Sequence, residues 1–171
     1  MYTTARDTQQ SAGRVLIVPP KGFSLIELLI VVAIILILAG IAIPSLIQSR
    51  MRANEAAAVA SCRNINTAEV VYHSTYNIGY SVLLVHLGDA GPPTSLAAAL
   101  LDNPLANGAK FGFTFLYGST DLDGDGRRDV YTINANPTNP GSSGQRFFFT
   151  DQTGVIRWKN LAVAAVADPP I

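Results

Sequence analysis

Carboxylates recur at alternate positions in one short segment in the second half of the chain. Asp121, Asp123, Asp125 and Asp129 lie among glycines, with Arg127 between the last two. A hard cation such as Ca²⁺ takes roughly six to eight oxygen ligands, and carboxylates are common donors to it. The four side chains and the Arg127 carbonyl can surround one centre, so the spacing predicts a calcium site.

The same segment also has the composition of a polar hairpin turn. Asp-Gly pairs are favoured in turns, and Arg127 with Arg128 partly neutralises the acids. The segment resembles DxDxDG calcium loops, especially the strand-flanked kind found in β-propeller repeats. It is not a full EF-hand, because Thr132 stands where that loop places its bidentate glutamate. If calcium binds, we expect it to raise the melting temperature of the soluble head.

A second candidate is Glu27, which lies inside a long apolar run. Every residue from 23 to 43 is apolar or small except Ser24 and Glu27. An ionisable group inside a membrane span costs roughly 2.5–3.5 kcal/mol on insertion scales, so it points to a function and to a partner. Cleavage between Gly22 and Phe23 would create an α-amino cation one helical turn away, at positions i and i+4. In a bundle of such helices, the carboxylate can equally meet the amine of a neighbouring chain and set the axial register between subunits.

The element that carries Glu27 has the length of a membrane span. A helix over the 21 residues from 23 to 43 covers about 30 Å, the thickness of the hydrocarbon core. The preceding residues 1–22 form a polar leader in which Arg6, Arg14 and Lys21 outnumber Asp7. The positive-inside rule therefore places the N-terminus in the cytoplasm and exports the rest of the chain. The apolar run is too long for a secretory signal peptide, but a signal-anchor helix with an incidental glutamate is an alternative.

Residues 21–35, KGFSLIELLIVVAII, together with 41–44, IAIP, resemble the N-terminus of type IV prepilins. The resemblance implies that the prepilin peptidase cuts after Gly22 and that Phe23 becomes the N-methylated first residue. It also makes Glu27 the glutamate typical of that family. The backbone near Pro44 is expected to unwind in the filament, as proline removes a helical hydrogen bond. Leu36 departs from the family, which often has glycine there, and the leader is longer than in many pilins.

The resemblance implies a structural subunit of a type IV pilus and not an enzyme. Its expected partners are other copies of itself, the prepilin peptidase and N-methyltransferase, and the assembly machinery of the inner membrane. The precursor would be a single-pass inner-membrane protein, and the assembled product a cell-surface or periplasmic filament. A major pseudopilin of a type II secretion system is the nearer alternative, and a membrane-anchored calcium-binding protein is a remote one.

The resemblance also implies an α+β pilin fold, in which a long N-terminal helix packs on a small antiparallel sheet. An apolar stripe recurs at helical spacing along residues 44–78, formed by Ala58, Cys62, Ile65, Ala68 and Tyr72. Residues 77–79, Asn-Ile-Gly, predict the end of the helix. The head, residues 79–171, is expected to contain strands at 111–117, 129–135, 145–150 and 154–159.

Three further expectations concern the loops of the head. Thr94 and Ser95 are expected to cap a short helix that continues to Leu101. Residues 136–144 are rich in Pro, Asn, Gly and Ser and predict an exposed loop. The last residues, ending in Pro-Pro-Ile, are expected to be loosely held.

Composition argues against other classes of protein. The formal net charge of zero argues against a strongly basic surface of the kind that binds nucleic acid. The two histidines, His73 and His86, do not stand in a metal-ligand or nucleophile-elbow spacing. Cys62 is the single cysteine, so it cannot form the disulfide that closes the C-terminal region of many pilins. A calcium ion at residues 121–129 would clamp two strands in its place.

Overall fold

The structure, a computed structural model, describes residues 22–171. The predicted leader therefore lies outside the described residues except for Gly22. The chain divides into two compact units after Gly40, and each is described by itself. In the first unit, residues 22–24 lie outside regular structure and helix α1 begins at Leu25. The helix ends at Tyr76, in the second unit.

The described part of the first unit, residues 22–40, is an apolar helix with its side chains facing solvent. Phe23 is 75% exposed, and every residue from 24 to 38 is exposed as well. Within the described residues, α1 is the one helix long and apolar enough to cross a membrane by length and composition. An apolar helix surface exposed to water strongly favours association with another protein or burial in lipid.

In the second unit, residues 41–171, the remaining part of α1 supplies one wall of the hydrophobic core. The predicted stripe is confirmed: all five of its residues are buried, namely Ala58, Cys62, Ile65, Ala68 and Tyr72. The helix continues through Pro44. It ends at Tyr76, and Asn77 follows in the left-handed region with φ of 53° and donates its N–H to the His73 carbonyl. This is the αL termination that an asparagine after the last turn predicts.

The other wall of the core is a five-stranded antiparallel sheet in the order β1-β2-β3-β4-β5. Its strands are Ala109–Lys110, Phe113–Thr120, Val130–Pro137, Arg146–Asp151 and Arg157–Asn160. Aromatic and aliphatic residues of the central strands, including Phe113, Phe115, Tyr131, Ile133 and Phe148, are buried in the same cluster as the helix stripe. The predicted α+β fold is confirmed, and the loop 121–129 joins β2 to β3 as a hairpin.

The predicted first strand was wrong at its start. Phe111 and Gly112 have φ of 52° and 73°, which breaks an extended strand and instead forms a two-residue hairpin loop. That loop joins β2 to the short strand β1, which was not predicted. The central strand, β3, runs on to Pro137, which pairs with Phe113. The loop predicted to begin at residue 136 therefore begins after Pro137.

The predicted helix from Thr94 to Leu101 was also wrong. Thr94 and Ala97 form an isolated β-bridge, and the Thr94 hydroxyl accepts the N–H of Leu96 in a tight turn. Helical turns lie on either side of this segment instead, as a 3₁₀ turn at Leu84–Leu87 and the short helix α2 at Asn103–Ala106. Buried Leu84, Leu87 and Leu105 on these turns close the core.

The last residues are tied to the sheet and are not loose as predicted. Pro170 forms an isolated β-bridge with Arg157 of β5. The backbone N–H of Trp158 donates to the Pro169 carbonyl at 3.1 Å. The amide of Asn134, on β3, donates to the Ala164 carbonyl at 2.9 Å. The composition of the segment indicated flexibility. These contacts are made with residues that are distant in sequence, so composition could not reveal them.

Candidate functional site

The Glu27 carboxylate has a partner on its own helix. Glu27 Oε2 accepts the backbone N–H of Ser24 at 2.9 Å. Ser24 directly precedes the helix and Glu27 is its third residue, which is half of the capping box in which an acid satisfies an N–H at the helix start. The negative charge also lies at the positive end of the helix dipole. The sequence signal for this contact, Ser-x-x-Glu, was present and was missed.

The predicted cleavage point lies just ahead of the helix. Gly22 and Phe23 are exposed and outside regular structure, and no atom lies within 4 Å of a Cβ placed on Gly22. Phe23 is one residue before the Ser24 amide that Glu27 already binds. Cleavage after Gly22 would therefore release an amino group next to the carboxylate along the chain.

The acidic loop brings three of its four aspartates together. One carboxylate oxygen from each of Asp121, Asp123 and Asp129 lies within 4.8 Å of the others. Asp125 is not part of this group, and its Oδ1 accepts the Arg127 N–H at 2.8 Å. The structure thus assembles a three-carboxylate cluster from the five predicted ligands.

The backbone of the loop folds around Asp121. Its two carboxylate oxygens accept the N–H groups of Gly124 at 2.7 Å and Gly126 at 2.8 Å. Both glycines have positive φ, 81° and 88°, a conformation that only glycine adopts without strain. The same hydrogen bonds hold the pKa of the Asp121 carboxyl below its ordinary value, so Asp121 keeps its negative charge at neutral pH.

The arginines of the loop do not neutralise this cluster by ion pairing. Among the described residues, neither Arg127 nor Arg128 lies within ion-pairing distance of the aspartates. The Arg127 guanidinium instead approaches the side-chain oxygen of Asn77 at 3.4 Å. Like charges this close favour a cation between them, and carboxylate oxygens are suitable donors for calcium.

The loop is also joined to the end of helix α1. Arg128 forms a β-bridge with Gly79, and its carbonyl accepts the Tyr80 N–H at 2.9 Å. A Cβ on Gly79 would lie 2.6 Å from the Arg128 backbone nitrogen, so the approach requires glycine. The acidic loop therefore holds the chain where it leaves the helix.

Other candidate side chains are structural. Cys62 is buried, and desolvation raises the pKa of its thiol to about 12, so it stays protonated and unreactive. His73 is exposed and lies against Tyr80, with ring centroids 5.2 Å apart and ring planes tilted by 36°. His86 lies on the 3₁₀ turn, away from the acidic loop in sequence.

Comparison with known proteins confirms the resemblance of the N-terminal segment. Residues 20–43 match the family model for the prokaryotic N-terminal methylation motif. The chain is also similar to the type IV wide pilus major component PilA4 of Thermus thermophilus, with 37% identity over 83 residues. That match covers 47% of this chain and 63% of the relative, so the chain spans less than two thirds of the relative's length. No solved structure matches the chain significantly. The pilin-like relationship agrees with a structural subunit and not an enzyme.

Proposed function

We propose that this chain, which carries the prokaryotic methylation motif and is similar to a type IV pilus major component, is a subunit of a type IV pilus. In this proposal the precursor is anchored in the inner membrane by residues 23–43, with its N-terminus in the cytoplasm. A prepilin peptidase cuts after Gly22 and the new amino group of Phe23 is methylated. The mature subunits then polymerise through their N-terminal helices.

The observation that supports this best is the position of the motif. The match at residues 20–43 includes the first part of helix α1, whose apolar side chains are exposed from residue 25 to 38. Such a surface needs lipid before assembly and protein neighbours after it. Both environments are available to a subunit that moves from a membrane into a filament core.

Glu27 supports the same proposal through its charge. The Ser24 N–H satisfies one carboxylate oxygen, but a dipolar donor does not neutralise the carboxylate. In an apolar helix bundle the remaining charge favours a cation, and the amine of Phe23 from the same or a neighbouring chain would supply one. Pro44 would be the point at which the helix unwinds on assembly.

Mass spectrometry of filaments sheared from the cell surface tests the proposal. We expect the chain to be abundant there, to begin at Phe23 and to carry one N-methyl group. Recovery of surface filaments whose subunits retain residues before Phe23 would contradict it.

A major pseudopilin of a type II secretion system is the second candidate, because it would carry the same N-terminal segment. The two differ in where the filament forms and in which machinery assembles it. Deleting the gene discriminates between them: loss of surface filaments supports the pilus, whereas loss of protein secretion with filaments intact supports the pseudopilus.

The acidic loop is proposed to bind calcium through Asp121, Asp123 and Asp129, with Asp125 and the Arg127 carbonyl as further ligands after rearrangement. The support is the proximity of three carboxylates without a paired cation among the described residues. The ion would brace the β2–β3 hairpin against the residues that follow helix α1. A calcium-binding protein that is only membrane-anchored would show this binding without forming filaments.

A further inference from the structure

An open groove of about 590 Å³ lies in the second unit, between helix α1 and the sheet edge formed by β4 and β5. Its walls are formed by Gln48, Met51, Arg52, Glu55, Gln145, Arg146, Trp158 and Asn160. The volume is in the range of small-molecule sites. Neither the methylation motif nor the acidic loop uses any of these residues.

The groove begins where the surface of helix α1 changes from apolar to polar. Ile43, Leu46 and Ile47 are exposed, and Gln48 is the first residue of the groove wall. Arg52 lies about 14 Å along the helix from Ile43 at the usual rise per residue. Helical side chains lean toward the N-terminus, so the Arg52 side chain is directed back toward the apolar end. Basic side chains that lean back toward an exposed apolar surface are typical of the region where a chain meets phospholipid headgroups.

The charges in the groove suit an anion. Arg146 Nε pairs with Glu55 Oε2 at 3.2 Å, and its guanidinium lies over the Trp158 ring at 5.2 Å from the centroid. Glu55 also accepts the backbone N–H groups of Gln145 and Arg146. This acid is therefore fully engaged and holds the Arg146 side chain, which remains 46% exposed.

Arg52 supplies the unmatched positive charge. It is exposed and has no ion-pair partner within residues 22–171. With Arg146 and Glu55 paired, the groove carries a net positive charge from Arg52. Arginine suits phosphate because its planar fork donates two parallel hydrogen bonds. Tryptophan is typical of the membrane–water interface.

We propose that this groove binds the phosphate of an anionic phospholipid headgroup while the subunit is anchored in the membrane. This rests on the membrane anchorage in the proposed function. The contact would hold the head against the bilayer surface, and the subunit would have to release the lipid on entering a filament. Arg52 and Arg146 bind the phosphate, and Trp158 covers the glycerol region.

Trp158 is the single tryptophan of the chain, so its fluorescence reports on this groove alone. The full chain would be reconstituted in phosphatidylcholine vesicles that contain phosphatidylglycerol with a nitroxide on the headgroup. We expect the labelled lipid to quench Trp158. Arg52→Gln should weaken the apparent lipid affinity by about tenfold, because it removes a charge-assisted hydrogen bond to the phosphate.

Arg50→Gln is the matched control. Arg50 is exposed at nearly the same depth on the helix but does not line the groove, so its loss should leave quenching nearly unchanged. Equal effects of the two substitutions would overturn the proposal in favour of general surface attraction. If quenching falls as the protein density in the vesicles rises, a second copy of the chain occupies the groove. That result would overturn the lipid proposal.

Vesicle flotation separates this proposal from the function on which it rests. A chain that floats with vesicles but is not quenched overturns the headgroup site and leaves membrane anchorage intact. A chain that does not float at all overturns both.

Discussion

The backbone N–H of Ser24 donates a hydrogen bond to Glu27 Oε2 at 2.9 Å. This contact gives Glu27 a local role in starting helix α1, in addition to the proposed role in assembly. The two roles depend on different properties of the side chain. Capping requires an acceptor oxygen, whereas pairing with the amine of Phe23 requires a charge.

Gly79→Ala should weaken the link between helix α1 and the acidic loop. The new Cβ would lie 2.6 Å from the Arg128 nitrogen at a φ of 87°, so it meets both backbone strain and a clash. We expect a loss of at least about 3 kcal/mol of unfolding free energy, measured by thermal unfolding of the chain in detergent. Hydrogen exchange at the Tyr80 amide should also accelerate.

Gly141→Ala is the control for that substitution. Gly141 has nearly the same φ, 85°, but no atom lies within 4 Å of its Cβ position. Gly141→Ala should therefore lower the free energy of unfolding through backbone strain alone, by about 1 kcal/mol. Equal losses of unfolding free energy in the two variants would mean that Gly79 does not pack closely against Arg128.

Ser81→Ala should destabilise the second unit through Glu69. Glu69 is fully buried, and its carboxylate accepts the Ser81 hydroxyl at 2.6 Å and the Ser81 N–H at 3.0 Å. Removing the hydroxyl leaves a buried acceptor unsatisfied, which costs about 1–3 kcal/mol. Ser74→Ala, on the exposed helix surface, should change the free energy of unfolding by less than about 0.5 kcal/mol. An unchanged free energy of unfolding in Ser81→Ala would contradict the role assigned to this contact.

Calcium should raise the melting temperature of the chain. An ion at 100 times its Kd adds about 2.7 kcal/mol, which corresponds to a rise of about 5–10 °C for a unit of this size. Asp123→Asn should remove most of the rise, because Asp123 belongs to the three-carboxylate cluster. A melting temperature that is the same in calcium and in excess chelator would contradict the calcium proposal.

Asp125→Asn distinguishes two versions of the calcium site. Asp125 lies outside the cluster and binds the Arg127 N–H, so a site built from the cluster alone should tolerate this substitution. If the loop rearranges to use all the predicted ligands, Asp125→Asn should reduce the rise in melting temperature as well.

The parts of the fold that the sequence predicted correctly depend on local signals. The stripe from Ala58 to Tyr72 follows from helical periodicity, and the helix end at Tyr76 follows from Asn77. The hairpin around residues 121–129 follows from alternating strands and Asp-Gly turns. The Ser24–Glu27 contact was equally local, but the apolar surroundings of Glu27 directed attention to an ion pair.

The parts that were missed depend on contacts between distant residues. Strand β1 has only two residues and exists because the turn at Phe111 pairs it with β2. The last residues carry the composition of a flexible tail, yet they are held by β3 and β5. The groove between Arg52 and Arg146 likewise forms only when the helix and sheet edge come together, which no local pattern reveals.

Filament yield from cells that express Glu27→Gln tests the central proposal most directly. Glutamine keeps an acceptor for the Ser24 N–H but removes the charge, and Glu27→Ala removes both. If pairing with the Phe23 amine drives assembly, both variants should be cleaved after Gly22 and yield at least about tenfold fewer filaments, which corresponds to a loss of about 1.4 kcal/mol. Normal filament yield from Glu27→Gln, with a loss only for Glu27→Ala, would contradict that role and leave Glu27 as a helix cap.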